Sequence, residues 1–437
     1  MPPSSSVSSS KVDWDGAASG SVSRRDLEGD NFFHGASSMK SNHVLELRVG
    51  VDVGCHNHNV AIGLSTGEIL EEFSIVHTPE GFRKFFLRIE HNEKTYGCPV
   101  AVAMEGYNGY ARPLDTLIRT RNYRLFNINN LKLARFKEIF PGAAKTDDID
   151  ARKALELFQL RDHLPIAKDV LQEIKVTPLE NDILKRISRR RRRLVNERVR
   201  VLNNLQADIQ SVCPGLLEIT GEAGNLWFLR FLTSTDDLRK LARVREATIL
   251  KLPGIGAKYT KILLKWQEHA EFSRDVEWVG DMILADAKRV LELHEQIKTL
   301  ETQAAEKVAI SNIAQIISTM PGFGHVTIAE LAGEIGTIER FENESSLALY
   351  LGMANLDNSS GKQKGSKAPK QVNERAKSAM MTAVDRHRKY VPQSQKYYEK
   401  KRAEGKKHNQ AVRSLGRHLC RIIFKMLKEN RGYFLQK

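Results

Sequence analysis

From His43 onward, hydrophobic and polar positions follow two successive rhythms. The first is a period of two, the signature of strands. It predicts strands over Val44–Val53, Asn59–Leu64 and Ile69–Val76, with Thr66-Gly67-Glu68 as a turn. Short links between such strands build an antiparallel meander. Thr78-Pro79-Glu80 then supplies a cap, a proline at the first helical position and a first-turn acid, which predicts a helix to about Glu90. A fourth strand, Val100–Met104, ends at Glu105-Gly106. A helix over Leu114–Thr120, a strand over Tyr123–Ile128 and a helix over Leu131–Phe140 follow, closed by Pro141-Gly142.

The second rhythm is helical and runs from about Asn181 to Ile310. Arg189, Arg190, Arg191, Arg192 and Arg193 stand in succession, followed by Leu194, Val195, Val199, Leu202, Leu205 and Ile209 on an amphipathic helix. Five adjacent guanidinium groups repel one another, which favours a phosphate partner over a merely solvated face. Ile283, Val290, Ile297 and Ala304 recur every seven residues, with Ala287 and Leu300 between them. That seam serves a coiled coil or an internal helical hairpin equally well. Two turns share one formula, Leu252-Pro253-Gly254-Ile255-Gly256 and Met320-Pro321-Gly322-Phe323-Gly324, each before a helix (Thr260–Lys265 and Thr327–Ala332). The form resembles a helix-hairpin-helix, whose backbone N–H groups face a phosphate; the second turn has the more telling surroundings. In the last helix Leu415, Leu419, Ile422 and Met426 form an apolar stripe, opposed by Arg413, Arg417, Arg421, Lys425 and Lys428.

The strand and helix order βββαβαβα is that of a ribonuclease H-like domain. The fold class is therefore α/β plus all-α: a RuvC/RNase H-like domain over 43–165, a helical coiled-coil region over 166–310, and a mainly helical C-terminal domain over 311–437. Residues 1–42, rich in Ser and Gly, form a disordered tail. Charge sharpens this division. The net charge is +15, yet Gly361–Lys437 alone holds 22 Lys and Arg against 5 Asp and Glu. A cationic excess confined to the last fifth of the chain calls for a polyanion, most simply nucleic acid. The cysteines Cys55, Cys98, Cys213 and Cys420 form no CxxC pair, which argues against zinc and disulfides and for a reducing compartment. No apolar run reaches the length of a membrane span, and the first forty residues lack the core of a signal peptide.

Candidate chemistry begins at Arg48-Val49-Gly50-Val51-Asp52-Val53-Gly54. Asp52 sits among glycines, which leaves room beside it for an ion or a phosphate. Glu105, at the carboxyl end of another strand, belongs beside it. In Lys145-Thr146-Asp147-Asp148-Ile149-Asp150-Ala151, Thr146 caps a helix whose Asp147 and Asp150, three apart, share a face; Asp148 turns away. First-turn acids also stabilise a helix dipole without further purpose. Taken together, Asp52, Glu105, Asp147 and Asp150 would repel one another unless a cation resolved them. All-oxygen ligands select Mg²⁺ or Mn²⁺, and two such ions about 4 Å apart clamp a phosphodiester undergoing in-line displacement.

The ordered set of Gly50-Val51-Asp52, Met104-Glu105, Lys145–Ala151, Met320–Gly324, Arg340-Phe341, Tyr350-Leu351-Gly352-Met353 and Ser359-Ser360-Gly361 resembles a known family. It is similar to the insertion-sequence transposases and Piv-like DNA invertases, which join a RuvC-like DEDD domain to a C-terminal serine-bearing domain. The likeness runs from about Arg48 to the C-terminus. It implies a recombinase that cuts and rejoins donor and target DNA, with Mg²⁺ at the four carboxylates, guided by a structured bridge RNA. The nucleophile maps to Ser360, with Ser359 the near alternative and Ser366 the distant one, and Lys362, Lys364 and Lys367 are placed to hold the phosphate. A serine hydroxyl needs activation, which a nearby metal-carboxylate site can supply. After Ser366-Lys367 this chain reads Ala368-Pro369-Lys370-Gln371, where the family has a glycine-containing step. The helical middle and its apolar seam suggest a homo-oligomer, dimer or tetramer, since recombination joins sites symmetrically. The resemblance implies a cytoplasmic, nucleoid-associated place in a prokaryote.

Three other readings compete. A hydrolytic RuvC-like resolvase or nuclease would use the same carboxylates without a covalent intermediate. An actin-like or sugar-kinase ATPase also carries an Asp-x-Gly loop, but a second Asp-Gly-Gly-rich phosphate loop is missing. A nucleic-acid packaging protein explains the charge and leaves the four carboxylates without a role.

Overall fold

The computed structural model describes residues 44–107, 109–138, 147–162, 170–357, 365–367, 369 and 372–434. Six strands form one sheet in the order β3-β2-β1-β4-β5-β6: β1 (Leu47–Val53), β2 (Asn57–Leu64), β3 (Ile69–Val76), β4 (Val100–Met104), β5 (Arg124–Ile128) and β6 (Leu171–Glu173). The first three pair antiparallel as a meander, β1–β4 and β4–β5 are parallel, and β6 returns antiparallel to β5. β6 lies beyond residue 165, so the sheet extends past the boundary expected from the sequence.

Helices α1 (Pro79–Tyr96), α2 (Arg112–Thr120), α3 (Asn130–Lys137) and α4 (Asp147–Gln159) cover the sheet. Thr78 caps α1, its Oγ1 accepting from the Gly81 N–H at 3.2 Å, and Pro79 opens the helix. α1 continues past Glu90 until Gly97 adopts a left-handed φ of +60°. The period of two sorts side chains between faces. Leu47, Val49, Val51, Val100, Val102 and Met104 pack against Phe82, Phe85, Ile89, Leu114 and Ile118 of α1 and α2. On the other face the central strands present small residues, Gly50, Ala61, Ala101 and Ala103, and α4 lies directly on them with Ala151, Ala154, Leu155 and Phe158.

Two long helices, α5 (Leu179–Val212) and α9 (Val276–Ile310), pack antiparallel. Ion pairs Arg191–Glu301 (2.6 Å) and Glu197–Arg289 (2.5 Å) staple them, and Leu194 meets Leu293 and Ile297 between. The heptad positions Ile283, Val290, Ile297 and Ala304 are all buried within this chain. The seam is thus an internal hairpin and supplies no free face for a second copy. Between the long helices lie α6 (Leu226–Leu232), α7 (Glu246–Lys251) and α8 (Ala257–Glu268), which pack on the distal half of the hairpin.

The C-terminal part comprises α10 (Asn312–Ser318), α11 (His325–Ile335), α12 (Glu344–Tyr350), α13 (Glu374–Tyr390), α14 (Pro392–Ala403) and α15 (His408–Lys428), with a short pairing of β7 (Leu356–Asp357) and β8 (Ser366–Lys367). Its core takes in Leu184 of α5 and Ala304 and Val308 of α9. The proximal end of the long hairpin is therefore part of this core rather than a separate spacer. Gly333 permits the contact: a Cβ there would fall 2.4 Å from the Lys185 nitrogen.

Candidate active site

Alternate residues of β1 all address α4. Arg48 is buried; its Nη1 donates to the Phe158 and Gln159 carbonyls at 3.0 and 3.2 Å, and its Nε donates to Glu46 at 3.1 Å. Those carbonyls end α4 and carry its partial negative charge, so a cation there both satisfies and orients the helix. Gly50 comes next. A Cβ at Gly50 would sit 2.6 Å from the Leu155 nitrogen and 2.8 Å from the Ala151 oxygen. Asp52 follows on the same face, opposite Asn59 of β2 and toward the N-terminal turns of α4. The expectation that Gly50 and Gly54 leave room for a ligand is corrected by these contacts. The space at Gly50 holds the α4 backbone, and the space at Gly54 holds the Asn57 carbonyl, which accepts from the Gly54 N–H at 3.1 Å in the β1–β2 turn.

Glu105 follows β4, and its N–H reaches the Val51 carbonyl at 3.3 Å, which holds it beside the end of β1. Asp150 lies one turn into α4. Between them sits Lys137, the last residue of α3: its Nζ is 3.0 Å from Asp150 Oδ1 and 3.9 Å from Glu105 Oε2. Burial raises the Glu105 carboxyl above the usual range; Lys137 opposes the rise, and the charges of Asp52 and Asp150 add to it. Three of the four expected carboxylates therefore act on one another in one crevice. Asp147 begins α4 three residues before Asp150, and its side chain lies outside the described residues, as does Thr146.

Among the described residues no three His, Cys, Asp or Glu groups close around a common point as a metal site would require. The donor set still suits a hard divalent cation: oxygen only, mutually repelling, and with a lysine ammonium standing where positive charge is needed. Sequence reasoning does not single out Lys137. Its one signal is a lysine at the end of a helix leading into the Asp-x-x-Asp segment.

Ser359, Ser360, Lys362 and Lys364 lie outside the described residues; Ser366 and Lys367 are described in backbone only, as β8. The arginine run divides in two. Arg189 forms a two-pronged pair with Glu334 (2.7 and 2.9 Å), Arg192 with Glu330 (2.7 and 2.9 Å), and Arg191 pairs with Glu301. Arg190 and Arg193 are exposed and continue a stripe with Arg186 and Arg200, none of them in an ion pair among the described residues. The mutual repulsion inferred from the sequence is thus largely relieved inside the chain. On α15, Arg417 donates to the Glu344 carbonyl (3.3 Å) and Ser345 Oγ (2.9 Å), Arg421 lies 3.8 Å from Glu344, and Arg413 borders a cavity with Arg417 and His418.

The two Pro-Gly turns share a backbone, with φ of +89° at Gly254 and +82° at Gly322. Their surroundings differ. At the second, His387 Nδ1 donates to the Pro321 carbonyl at 2.8 Å, and a Cβ on Gly322 would meet the His387 nitrogen at 2.7 Å, so α13 covers it. The first exposes Pro253, Gly254 and Gly256. Tyr350, in the resemblance motifs, is framework: its Oη donates to the Glu334 carbonyl at 2.9 Å, and Asn373 Nδ2 donates to Tyr350 Oη and Glu334 Oε2, both at 2.7 Å. The Arg340 guanidinium lies 5.0 Å from the Tyr350 ring centre. All four cysteines are free, and among the described residues no helix is long and apolar enough to cross a membrane.

Residues 49–214 match a transposase family model of the IS110 DEDD type, and residues 314–399 match one described as transposase IS116/IS110/IS902 family. An insertion element IS110 protein of 43.6 kDa from Streptomyces coelicolor is 24% identical over 398 residues, 88% of this chain and 95% of that one. An insertion element IS116 protein of 44.8 kDa from Streptomyces clavuligerus is 27% identical over 400 residues, with the same coverage, 88% and 95%. An insertion element IS900 protein of 42 kDa from Mycobacterium paratuberculosis is 26% identical over 348 residues, 77% and 85% of the two chains.

Proposed function

Since the chain belongs to the IS116/IS110/IS902 family of transposases and carries its DEDD part, we propose that it recombines donor and target DNA by transesterification through Ser360, under the guidance of a structured RNA. The observation that carries this reading is the crevice in which Asp52, Glu105 and Asp150 influence one another around Lys137. Mg²⁺ or Mn²⁺ held by Asp52, Glu105, Asp147 and Asp150 would supply the Lewis acid that polarises the phosphodiester.

The chain's own groups do the rest. Lys137 offsets the charge of Asp150 and Glu105, and with a divalent cation held by the carboxylates its ammonium would be available to a phosphate oxygen. The Ser360 oxygen attacks phosphorus and loses its proton, one bridging P–O bond breaks, and the departing oxygen takes up a proton. The phosphoserine bond keeps the ester's energy, so a hydroxyl of another strand reverses the step with no further energy source. Lys362, Lys364 and Lys367 hold the phosphate, and Arg190, Arg193, Arg413, Arg417 and Arg421 hold the flanking backbone. A homo-oligomer, dimer or tetramer, supplies two or more sites at once, and the work takes place on the nucleoid in the cytoplasm of a prokaryote.

The test is a nicked suicide substrate with Mg²⁺ and the element's flanking RNA. A protein–DNA adduct that survives denaturation and disappears in Ser360→Ala is the expected result. An adduct that persists in Ser360→Ala and disappears in Ser359→Ala or Ser366→Ala moves the nucleophile. Cleavage with no adduct in any of them replaces transesterification by hydrolysis.

A further inference from the structure

A cavity of about 440 Å³ opens where the sheet meets the helical parts. Its floor is Gly106 and Tyr107, directly after Glu105, and Asn127 of β5; its roof is Gly333 and Gly336 at the end of α11. This lies at the carboxyl ends of the parallel strands β4 and β5, where ligands of α/β folds bind. The wall is charged, and most of that charge cancels. Lys175 pairs with Glu173 at 2.9 Å, Asp182 with Arg112 at 3.7 Å, and Arg189 with Glu334.

Two cations are left over. Arg340 donates to the Glu334 and Ile335 carbonyls at 3.1 and 3.0 Å, which are neutral acceptors, and it forms no ion pair among the described residues. Lys185 makes no hydrogen bond or ion pair with any described residue. Burial holds its ammonium below the ordinary lysine range; the nearby Arg189 and Arg340 push the same way, against Glu334 and Asp182. A half-buried ammonium that makes no hydrogen bond to a described residue is a cost to the fold, which the charges of Glu334 and Asp182 offset only in part. An anion in the cavity removes that cost.

We propose that this cavity is a phosphate subsite, in which Lys185 and Arg340 hold a phosphodiester of the nucleic-acid strand that enters the carboxylate crevice. Gly106 adjoins Glu105 in the chain, so a phosphate held here lies within a few nucleotides of the one exposed to the carboxylates. The walls are polar, and at Gly106 a Cβ would meet nothing closer than Val53 at 3.9 Å, so the floor leaves a sugar-phosphate backbone room. The subsite rests on the transposase reading for its occupant and on the geometry alone for its charge.

The experiment is equilibrium binding of the full chain, in chelator so that no metal contributes, to single-stranded DNA, duplex DNA and single-stranded RNA over a range of salt. Lys185→Met is expected to weaken binding about five- to tenfold near 0.1 M salt and to lower the log–log salt slope by about 0.7 to 0.9, the change for one lost phosphate contact. Its thermal midpoint is expected to hold or rise, because the variant no longer buries an unpaired charge. A purely structural lysine would behave in the opposite way, with a lower midpoint and an unaltered slope. A change confined to one nucleic acid assigns the subsite to that strand, and an unchanged slope with all three overturns the proposal. If Lys185→Met does not fold, Lys185→Gln gives the same comparison. Wild-type protein that binds normally but neither cuts nor forms an adduct sinks the recombinase reading and leaves this measurement intact.

Discussion

The carboxylate crevice and the arginine run are both clusters of like charge, and the chain treats them in opposite ways. In α5 the guanidinium groups facing the core each receive a carboxylate: Glu334 for Arg189, Glu301 for Arg191 and Glu330 for Arg192. In the crevice, Glu105 and Asp150 share Lys137, and burial, with the charges of Asp52 and Asp150 added to it, pushes Glu105 toward its neutral form. Compensated charge is framework, because it fixes how α5 crosses α9 and α11. Charge left short of compensation is where an incoming ion has work to do. Counting residues of one sign along a sequence does not separate these cases; pairing does.

The sharpest break is Asp52→Asn. It keeps the shape and removes the charge, and recombination is expected to fall at least about a thousandfold, or about 4 kcal/mol in the barrier, with the thermal midpoint kept. An Asp52→Asn protein that recombines normally would end the metal-site reading. Next is Gly50→Ala, which touches no reacting group yet drives a methyl into the α4 backbone. A destabilisation of about 2–4 kcal/mol by denaturant titration is expected, together with lost activity, since α4 carries Asp150.

On the basic side, Arg189→Ala leaves the buried Glu334 carboxylate to Asn373 and is expected to cost about 2–3 kcal/mol. Arg190→Ala with Arg193→Ala is expected to change stability by no more than about 0.5 kcal/mol while lowering nucleic-acid affinity. Equal effects from the two sets would erase the distinction between framework and surface. pH separates the two clusters further. Burial works against ionising Glu334, and Arg189 and Asn373 outweigh it, so its pKa lies below the ordinary value. Stability from that pair is in full force above the unfolded carboxyl pKa of about 4.5 and is lost as pH falls through the folded one. Glu105 has the opposite sign: its contribution is in place below about 4.5 and is lost as pH rises through its raised folded pKa. Added Mg²⁺ should therefore raise the thermal midpoint by an amount that grows with pH across that upper window and then levels off. The smallest expected effect is that of Lys137→Met, which removes the competing ammonium and should strengthen that Mg²⁺ shift.

Much of the α/β part is legible in the amino-acid order, because strand periodicity and caps are local. Ile69–Val76 and Val100–Met104 occur with the expected bounds, and Thr78-Pro79 opens α1. β6 is not legible, because three residues carry too little pattern and the strand exists only by pairing with β5. Asp52 and Glu105 stand out as strand-end carboxylates. Lys137 does not, since nothing local distinguishes it from the other basic residues of the same helix, Lys132 and Arg135. The Pro-Gly turns are legible as turns, but the one with the more telling surroundings in the sequence is the one that α13 covers.

The amino-acid order determines the strands, the helix starts, the small-residue face of the central strands and the types of group available for chemistry. All of these depend on neighbours within a turn or two. Tertiary structure alone decides which arginine meets a glutamate more than a hundred residues away, which face of α9 is spent inside the chain, and which lysine is left in a cavity without an ion pair among the described residues. Those outcomes follow from how helices cross and how closely backbones approach, and Gly50 and Gly333 set two of the closest approaches. The contacts they allow join segments that share no local pattern.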